Sequence, residues 1–296
     1  MKATTIIHIT CASFKQALKC TIFVFSVYGM LGGVFDLVIT FPPDTSLYRK
    51  LATSAIYFGL IYIALFSLCY FYFWIHSIFL RKVKVTKLNT HNSLYVIYDD
   101  IFKVEEKLSK KRDNKCCNIL ISCNPQFDTQ VGPHKVSPLT LHGKTVERIL
   151  KKTNYSPDFL REKLIEYIHY TEQEFDKNDS PTYFRPGTIA QIIVNKTEYF
   201  FWALSKFNQE GCATTTFEEY CLALSNLVPT ISLKSEGVPF LIPLIGTGLS
   251  KLNLQENTAL QFLTQAIISN KSGIYCDIYI VIPNHLKHTI SIPNYV

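Results

Sequence analysis

Leu241 to Ser250 reads LIPLIGTGLS, an apolar strand running directly into Gly246-Thr247-Gly248. Two glycines one residue apart let the chain take positive φ angles and remove the Cβ atoms that would hold a ligand off. Successive backbone N–H groups can then converge on an anion. A tight strand-to-helix turn is the alternative reading of the same residues. A helix over Gln255 to Asn270 follows, so strand, glycine loop and helix come in the order of an α/β unit.

Outward from this stretch the alternation continues. Val83 to Leu88 and Ser93 to Tyr98 are short strands, and Asn118 to Cys123, NILISC, is a more strongly apolar one. Thr145 to Lys152 begins a helical region, and Phe159, Leu160, Leu164 and Ile168 carry helical spacing within Pro157 to Phe175. Thr188 to Val194 and Tyr199 to Leu204 read as a strand pair. Thr216 with Glu219 three residues on forms a capping box for a helix reaching about Val228. Ile274 to Ile282 is a nearly continuous apolar strand, which suits burial on both faces.

Ligands of open α/β sheets collect at the carboxyl ends of strands. Three polar segments fall there: Asp99-Asp100-Ile101-Phe102, Asn124 to Thr129, and the glycine loop. Together they make one nucleotide pocket. An Asp accepts the exocyclic amine of adenine, an Asn bonds ribose hydroxyls, and the loop grips diphosphate oxygens. Taken singly, Asp100 and Asp128 read as turn or helix caps, and Asn124 as a strand-terminating turn.

Charge divides the chain. The formal net charge is +7, and before His91 nine basic residues face only Asp36 and Asp44, so the whole excess lies in the N-terminal segment. A nucleic-acid binder carries its basic excess on the recognition domain. Here it flanks apolar runs, which points to a membrane and excludes nucleic acid as the partner. Thr21 to Phe41 and Leu51 to Leu80 each reach the length of about 20 apolar residues that a span takes. Pro42-Pro43-Asp44 between them cannot continue a helix, so the pair reads as a transmembrane hairpin over 20–82, after a segment 1–19. Lys15 and Lys19 before it, and Arg81, Lys82, Lys84 and Lys87 after it, put both termini in the cytoplasm. Gly29 and Gly33 have the spacing of close helix packing, though glycine is common in membrane helices generally. The nine cysteines are odd in number and hold no C-x-x-C pair, which indicates neither a disulfide framework nor a structural zinc site.

The motifs YDDIF, ILISCNPQFDT, SPLTLHGKTVERIL, RPGTIAQI, YFFWALSKFN and FLIPLIGTGLS with DIYIVIP, in that order, make the chain resemble the ThsA macro-domain family of Thoeris antiphage effectors. The resemblance covers roughly residues 83–296, and the hairpin ahead of it resembles the membrane-spanning branch of that family. It implies an α/β macro-domain fold, a mixed sheet flanked by helices, preceded by a two-helix transmembrane hairpin. It further implies a bacterial inner-membrane effector and homo-oligomer with no cofactor, sensing an ADP-ribose-derived nucleotide made by a TIR-domain partner. Some relatives respond to a histidine conjugate of ADP-ribose. By motif, Asp100 with Ile101 contacts adenine, Asn124 lies on the ribose side, and Gly246, Thr247, Gly248, Leu249 and Ser250 form the diphosphate loop. Asp128, Thr129, His142 and Gly143 face the distal ribose; His142 also reads as a solvated loop histidine and Gly143 as a turn into a helix. The asparagine pair and triple glycine of hydrolytic macro domains are missing, since CNPQFDT has one Asn and Gly132-Pro133 leads no glycine run. A positioned base is needed for hydrolysis, so a sensor is expected, with a membrane-anchored ADP-ribosyl hydrolase as the alternative.

Overall fold

A computed structural model of the protein describes residues 10–11, 13–20, 46–79, 81–110, 116–132, 135–171, 184–207, 213–245 and 254–290. The expected first span at 21–41, its Gly29 and Gly33, the Pro42-Pro43 turn, and the loop Gly246 to Ser250 lie outside the described residues. The chain divides into two compact units at residue 81.

In the first unit, residues 10–11 and 13–20 are helical and α1 covers Leu47–Phe79. At 33 residues, α1 is about 50 Å long at about 1.5 Å per residue. Its sequence holds no charged residue from Leu51 onward. Ile56, Leu60, Ile63, Leu68, Phe71 and Tyr72 are exposed along it. Phe14 meets the middle of α1 edge-on, its ring 5.9 Å from that of Tyr62. Side chains of α1 are described without a break only over 59–72, and among the described residues no helix is long and apolar enough to cross a membrane.

The second unit contains β1 (Lys82–Lys87), β2 (Ser93–Tyr98), α2 (Ile101–Ser109), β3 (Cys117–Cys123), α3 (Leu141–Thr153), α4 (Pro157–Tyr170), β4 (Ile189–Val194) and β5 (Thr197–Ala203). A two-residue ribbon of β6 (Lys206–Phe207) and β7 (Ala213–Thr214) follows, then α5 (Phe217–Lys234), β8 (Phe240–Pro243), α6 (Glu256–Ser269) and β9 (Ile278–Ile282). The main sheet has seven strands in the order β1-β2-β9-β8-β3-β5-β4. All strands from β2 to β5 run parallel, and β1 and β4 close the two sides antiparallel, so the sheet is mixed.

Because side chains alternate across a sheet, β3 and β5 feed two cores. Ile119, Ile121, Tyr199 and Phe201 pack on one face with Ile101 and Val104 of α2, Val146 and Ile149 of α3, and Leu160, Leu164 and Ile168 of α4. On the other, Asn118 donates to the carbonyl of Ser235 at the end of α5 (3.1 Å), and Phe200 packs on Phe240 of β8. Here α5 buries Tyr220, Leu227 and Ile231 and packs beside α6, which buries Leu260, Leu263 and Ile267. This is the mixed sheet flanked by helices that the sequence implied.

The expected capping box forms: Thr216 accepts from the Glu219 N–H, and Glu219 accepts from the Thr216 N–H. The helix it starts, however, does not stop at Val228. It runs through Pro229 to Lys234 because Ile231 beyond the proline is fully buried and its carbonyl accepts from the Ser235 N–H. Conversely, the strand expected over Ile274 to Ile282 is paired only from Ile278, and a 3-10 turn over residues 271–273 precedes the unpaired stretch.

Candidate functional site

The parallel strands β2, β9, β8 and β3 are neighbours and end on one side of the sheet. Asp100 follows β2 and Asn124 follows β3, three strand spacings apart, roughly 14 Å at about 4.8 Å each. Between them β8 carries the chain through Leu244, whose N–H bonds the Val281 carbonyl, to the buried Ile245. Ile245 thus lies between the ends of β2 and β3, and Gly246 is the next residue in the sequence.

Asp100 is the N-cap of α2. Its Oδ1 accepts from the N–H groups of Phe102 (2.9 Å) and Lys103 (3.3 Å). It is exposed, and its Oδ2 has no partner among the described residues. The neighbouring Asp99 is committed elsewhere: it accepts from Lys107 and from the Asp100 N–H. Burial opposes its ionisation, but these two donors and the lysine charge hold its carboxyl below the usual range. Of the adjacent pair, Asp100 is therefore the one able to receive an outside donor. Ile101 points into the core at 6% exposure, which leaves only its backbone at the surface.

Asn124 is buried and turned onto its own loop. Its Oδ1 accepts from the Asp128 N–H (3.0 Å), and its amide donates to Asp128 Oδ2 (2.6 Å). The second amide hydrogen and the second lone pair of Oδ1 are left for a ligand. The clamp closes a turn in which Phe127 has φ of 52°, a left-handed conformation costly for an aromatic residue. The Phe127 ring is fully buried against Phe184, and Arg161 of α4 donates to the Gln126 carbonyl (3.1 Å).

Thr129 and Gly143, expected to face the ligand, are held by the fold. The Thr129 hydroxyl donates to the Pro157 carbonyl (2.6 Å) and the residue is almost completely buried. Gly143 lies in the first turn of α3, its N–H bonded to the Thr140 hydroxyl (3.0 Å). A Cβ there would lie 2.2 Å from the Ser137 carbonyl oxygen, so the position admits glycine because two backbones pass closely.

His142, also in the first turn of α3, is 9% exposed rather than solvated, with its ring edge-on to Phe201. Burial pushes the imidazole down to about 4, against the opposing effect of the Asp128 backbone carbonyl, so the ring is neutral at pH 7. Its Nε2 is buried and without a partner among the described residues. An unpaired buried polar atom is costly and uncommon. Asn124, Asp128 and His142 thus form one connected group at the end of β3, while Asp100 stands alone at the end of β2.

Sequence reading missed α2 itself, and with it the role of Arg161 and the left-handed Phe127. The pattern of an Asp followed by IFKVEEKL was available as a capped amphipathic helix; Phe127 carries no such local mark. Elsewhere, a cleft of about 380 Å³ beside β4 is lined by Tyr167, Gln191, Asn226, Pro229 and Leu233. It lies apart from the strand ends just described. Among the described residues no cluster of His, Cys, Asp or Glu could hold a metal ion.

The profile of the family described as "Thoeris protein ThsA, Macro domain" matches residues 94–283. No curated protein sequence matches the chain. Among solved structures, the Oceanobacillus iheyensis macrodomain with ADP is 14% identical, with a TM-score of 0.43, over 70% of this chain and 90% of that one. The same macrodomain with MES bound gives 14% identity and a TM-score of 0.43 over 70% and 91%. The family match spans β2 to the end of β9 and well over half of the sequence, and on it the chain belongs to the macro-domain family of the Thoeris protein ThsA.

Proposed function

We propose that the α/β domain over 83–296 is the sensor of an antiphage membrane effector and binds an ADP-ribose-derived nucleotide made by a TIR-domain partner. The observation that carries this reading is that Asp100, the end of β8 at Ile245 and Asn124 lie along one side of the parallel sheet of a ThsA macro domain. In it, the open Oδ2 of Asp100 accepts the adenine amine, and the loop from Gly246 to Ser250 holds the diphosphate. Asn124, Asp128 and His142 face the distal ribose and its substituent, of which an attached histidine is one candidate. Thr129 and Gly143 contribute by fixing that wall.

The effector half is the hairpin of spans 21–41 and 51–80, set in the bacterial inner membrane with both termini cytoplasmic. The uncharged sequence from Leu51 to Leu80 and the exposed aliphatic and aromatic side chains along α1 support the second span. Nucleotide binding rearranges or assembles the hairpins of a homo-oligomer, the membrane is breached and infection aborts. The ligand must bind the assembled state more tightly, or it shifts nothing.

Calorimetry of the detergent-solubilised chain with ADP-ribose tests the sensor. Saturable binding that Asp100→Asn weakens supports it; absence of binding to ADP-ribose and to its histidine conjugate refutes it. Steady turnover of either compound would replace the sensor with a hydrolase. For the output, Gly248→Asp places a carboxylate in the loop and should abolish phage-triggered depolarisation of cells.

A further inference from the structure

Arg148 of α3 meets α2 at three points. Its guanidinium lies 3.1 Å from Glu105 Oε2 and 3.6 Å from Glu106 Oε1, and it sits 5.0 Å over the ring of Phe102. Burial opposes its charge, but the Glu105 carboxylate, with Tyr199 and Glu106, holds Arg148 above its ordinary value. Glu105 is 3% exposed and is also bound by Lys152 of α3 (3.6 Å), the Thr197 hydroxyl (2.7 Å) and the Tyr199 hydroxyl (3.3 Å). Both helices pack on β3, and this cluster joins them directly.

The two helices share another property: each begins at the candidate site. Asp100 caps α2, and His142 lies in the first turn of α3. Glu105 is five residues beyond Asp100 and Arg148 six beyond His142, about 7.5 and 9 Å along their axes at about 1.5 Å per residue. The clamp therefore grips both helices about one and a half turns beneath their site-bearing ends.

We infer that Arg148 is a positioning residue for nucleotide binding: by clamping α2 to α3 it sets the separation of Asp100 from the Asn124, Asp128 and His142 group. This rests on the nucleotide reading given above. A ligand long enough to touch both groups needs the separation to be right, and a fragment that reaches only Asp100 does not. Planar Arg fits the three contacts, carboxylate, carboxylate and ring face, in a way that Lys does not.

The test is calorimetry on the full solubilised chain with two probes, ADP-ribose and AMP. Arg148→Met leaves Glu105 paired with Lys152, and Arg148→Met with Glu105→Gln removes the opposing charges together, so one or both variants stay folded. The expected result is ADP-ribose binding weakened about tenfold or more in either variant, with AMP binding within about twofold of the parent. Unchanged ADP-ribose affinity in a folded variant overturns the inference. So does an equal loss for both probes, which would mark general damage rather than a lost separation. If the unmodified chain binds only the histidine conjugate of ADP-ribose, that conjugate serves as the long probe; if it binds neither ADP-ribose nor the conjugate, the nucleotide reading itself falls, and the inference with it.

Discussion

Gly143→Ala tests whether the first turn of α3 is pressed against the preceding loop. The added Cβ would stand 2.2 Å from the Ser137 oxygen, 2.9 Å from its carbonyl carbon and 3.0 Å from the Pro138 Cα. All three obstacles are backbone, so no side chain can swing aside. Either the loop at 137–138 or the helix turn must move by roughly 1 Å, and overpacking of this kind costs about 1–3 kcal/mol. Movement of the turn also breaks the bond from the Gly143 N–H to the Thr140 hydroxyl, a cap whose loss costs about 1 kcal/mol. Taken together the loss is about 3 kcal/mol, or roughly 6–12 °C in melting temperature for a domain of this size. Differential scanning calorimetry of the full chain reads it, with Leu139→Ala, at a residue 82% exposed, as a neutral control. If Gly143→Ala melts within about 2 °C of the parent, the close approach does not hold α3 in place and the structural role assigned to Gly143 is wrong.

Asp100→Asn keeps a good helix cap and should alter stability by only a few tenths of a kcal/mol, whereas Asp100→Ala should cost about 1 kcal/mol; urea unfolding separates them. ADP-ribose binding should weaken in both, because Asn also offers an amide donor where the adenine amine needs an acceptor. His142 is neutral and buried with its value near 4, against about 6.5 in an unfolded chain, so between those limits the unfolded state binds the extra proton. Its contribution is fully present above about pH 6.5 and declines as the pH falls toward 4, by about 2 kcal/mol between pH 7 and 5. His142→Gln should flatten that part of the stability profile, and an unchanged slope would locate the acid sensitivity elsewhere. Asn124→Asp sets a second carboxylate against Asp128, across a contact now 2.6 Å long. The variant should lose about 1–3 kcal/mol at pH 7 and recover part of it below about pH 5, read by thermal melts across pH.

Most of the fold was legible because its strands carry their own period. Ser93 to Tyr98 was read to the residue, and NILISC missed β3 only by Cys117, which is as buried as the rest. Thr216 and Glu219 announced α5 through a purely local bond pattern. Its far end was misjudged because proline usually ends a helix, and only the burial of Ile231 against other elements shows that this one continues. The same limit applies to the site. Asp100 and Asn124 could be placed at strand ends from sequence. That Thr129 is tied to Pro157, or that His142 begins a buried turn rather than a solvated loop, depends on partners far along the chain, such as Pro157 and Phe201. The link from Arg148 to Glu105 joins residues 43 positions apart in sequence, and no periodicity encodes it.

Phe127 holds a backbone angle that an aromatic residue rarely adopts, and keeps it because its ring is enclosed by Phe184 while its N–H bonds the Asn124 carbonyl. The turn from Asn124 to Asp128 is therefore set by the core beneath it. On the nucleotide reading proposed above, a ligand arriving there meets a wall that already has its shape, so ordering this turn adds no slow step to association. Affinity differences among distal substituents should then show in how fast each ligand leaves.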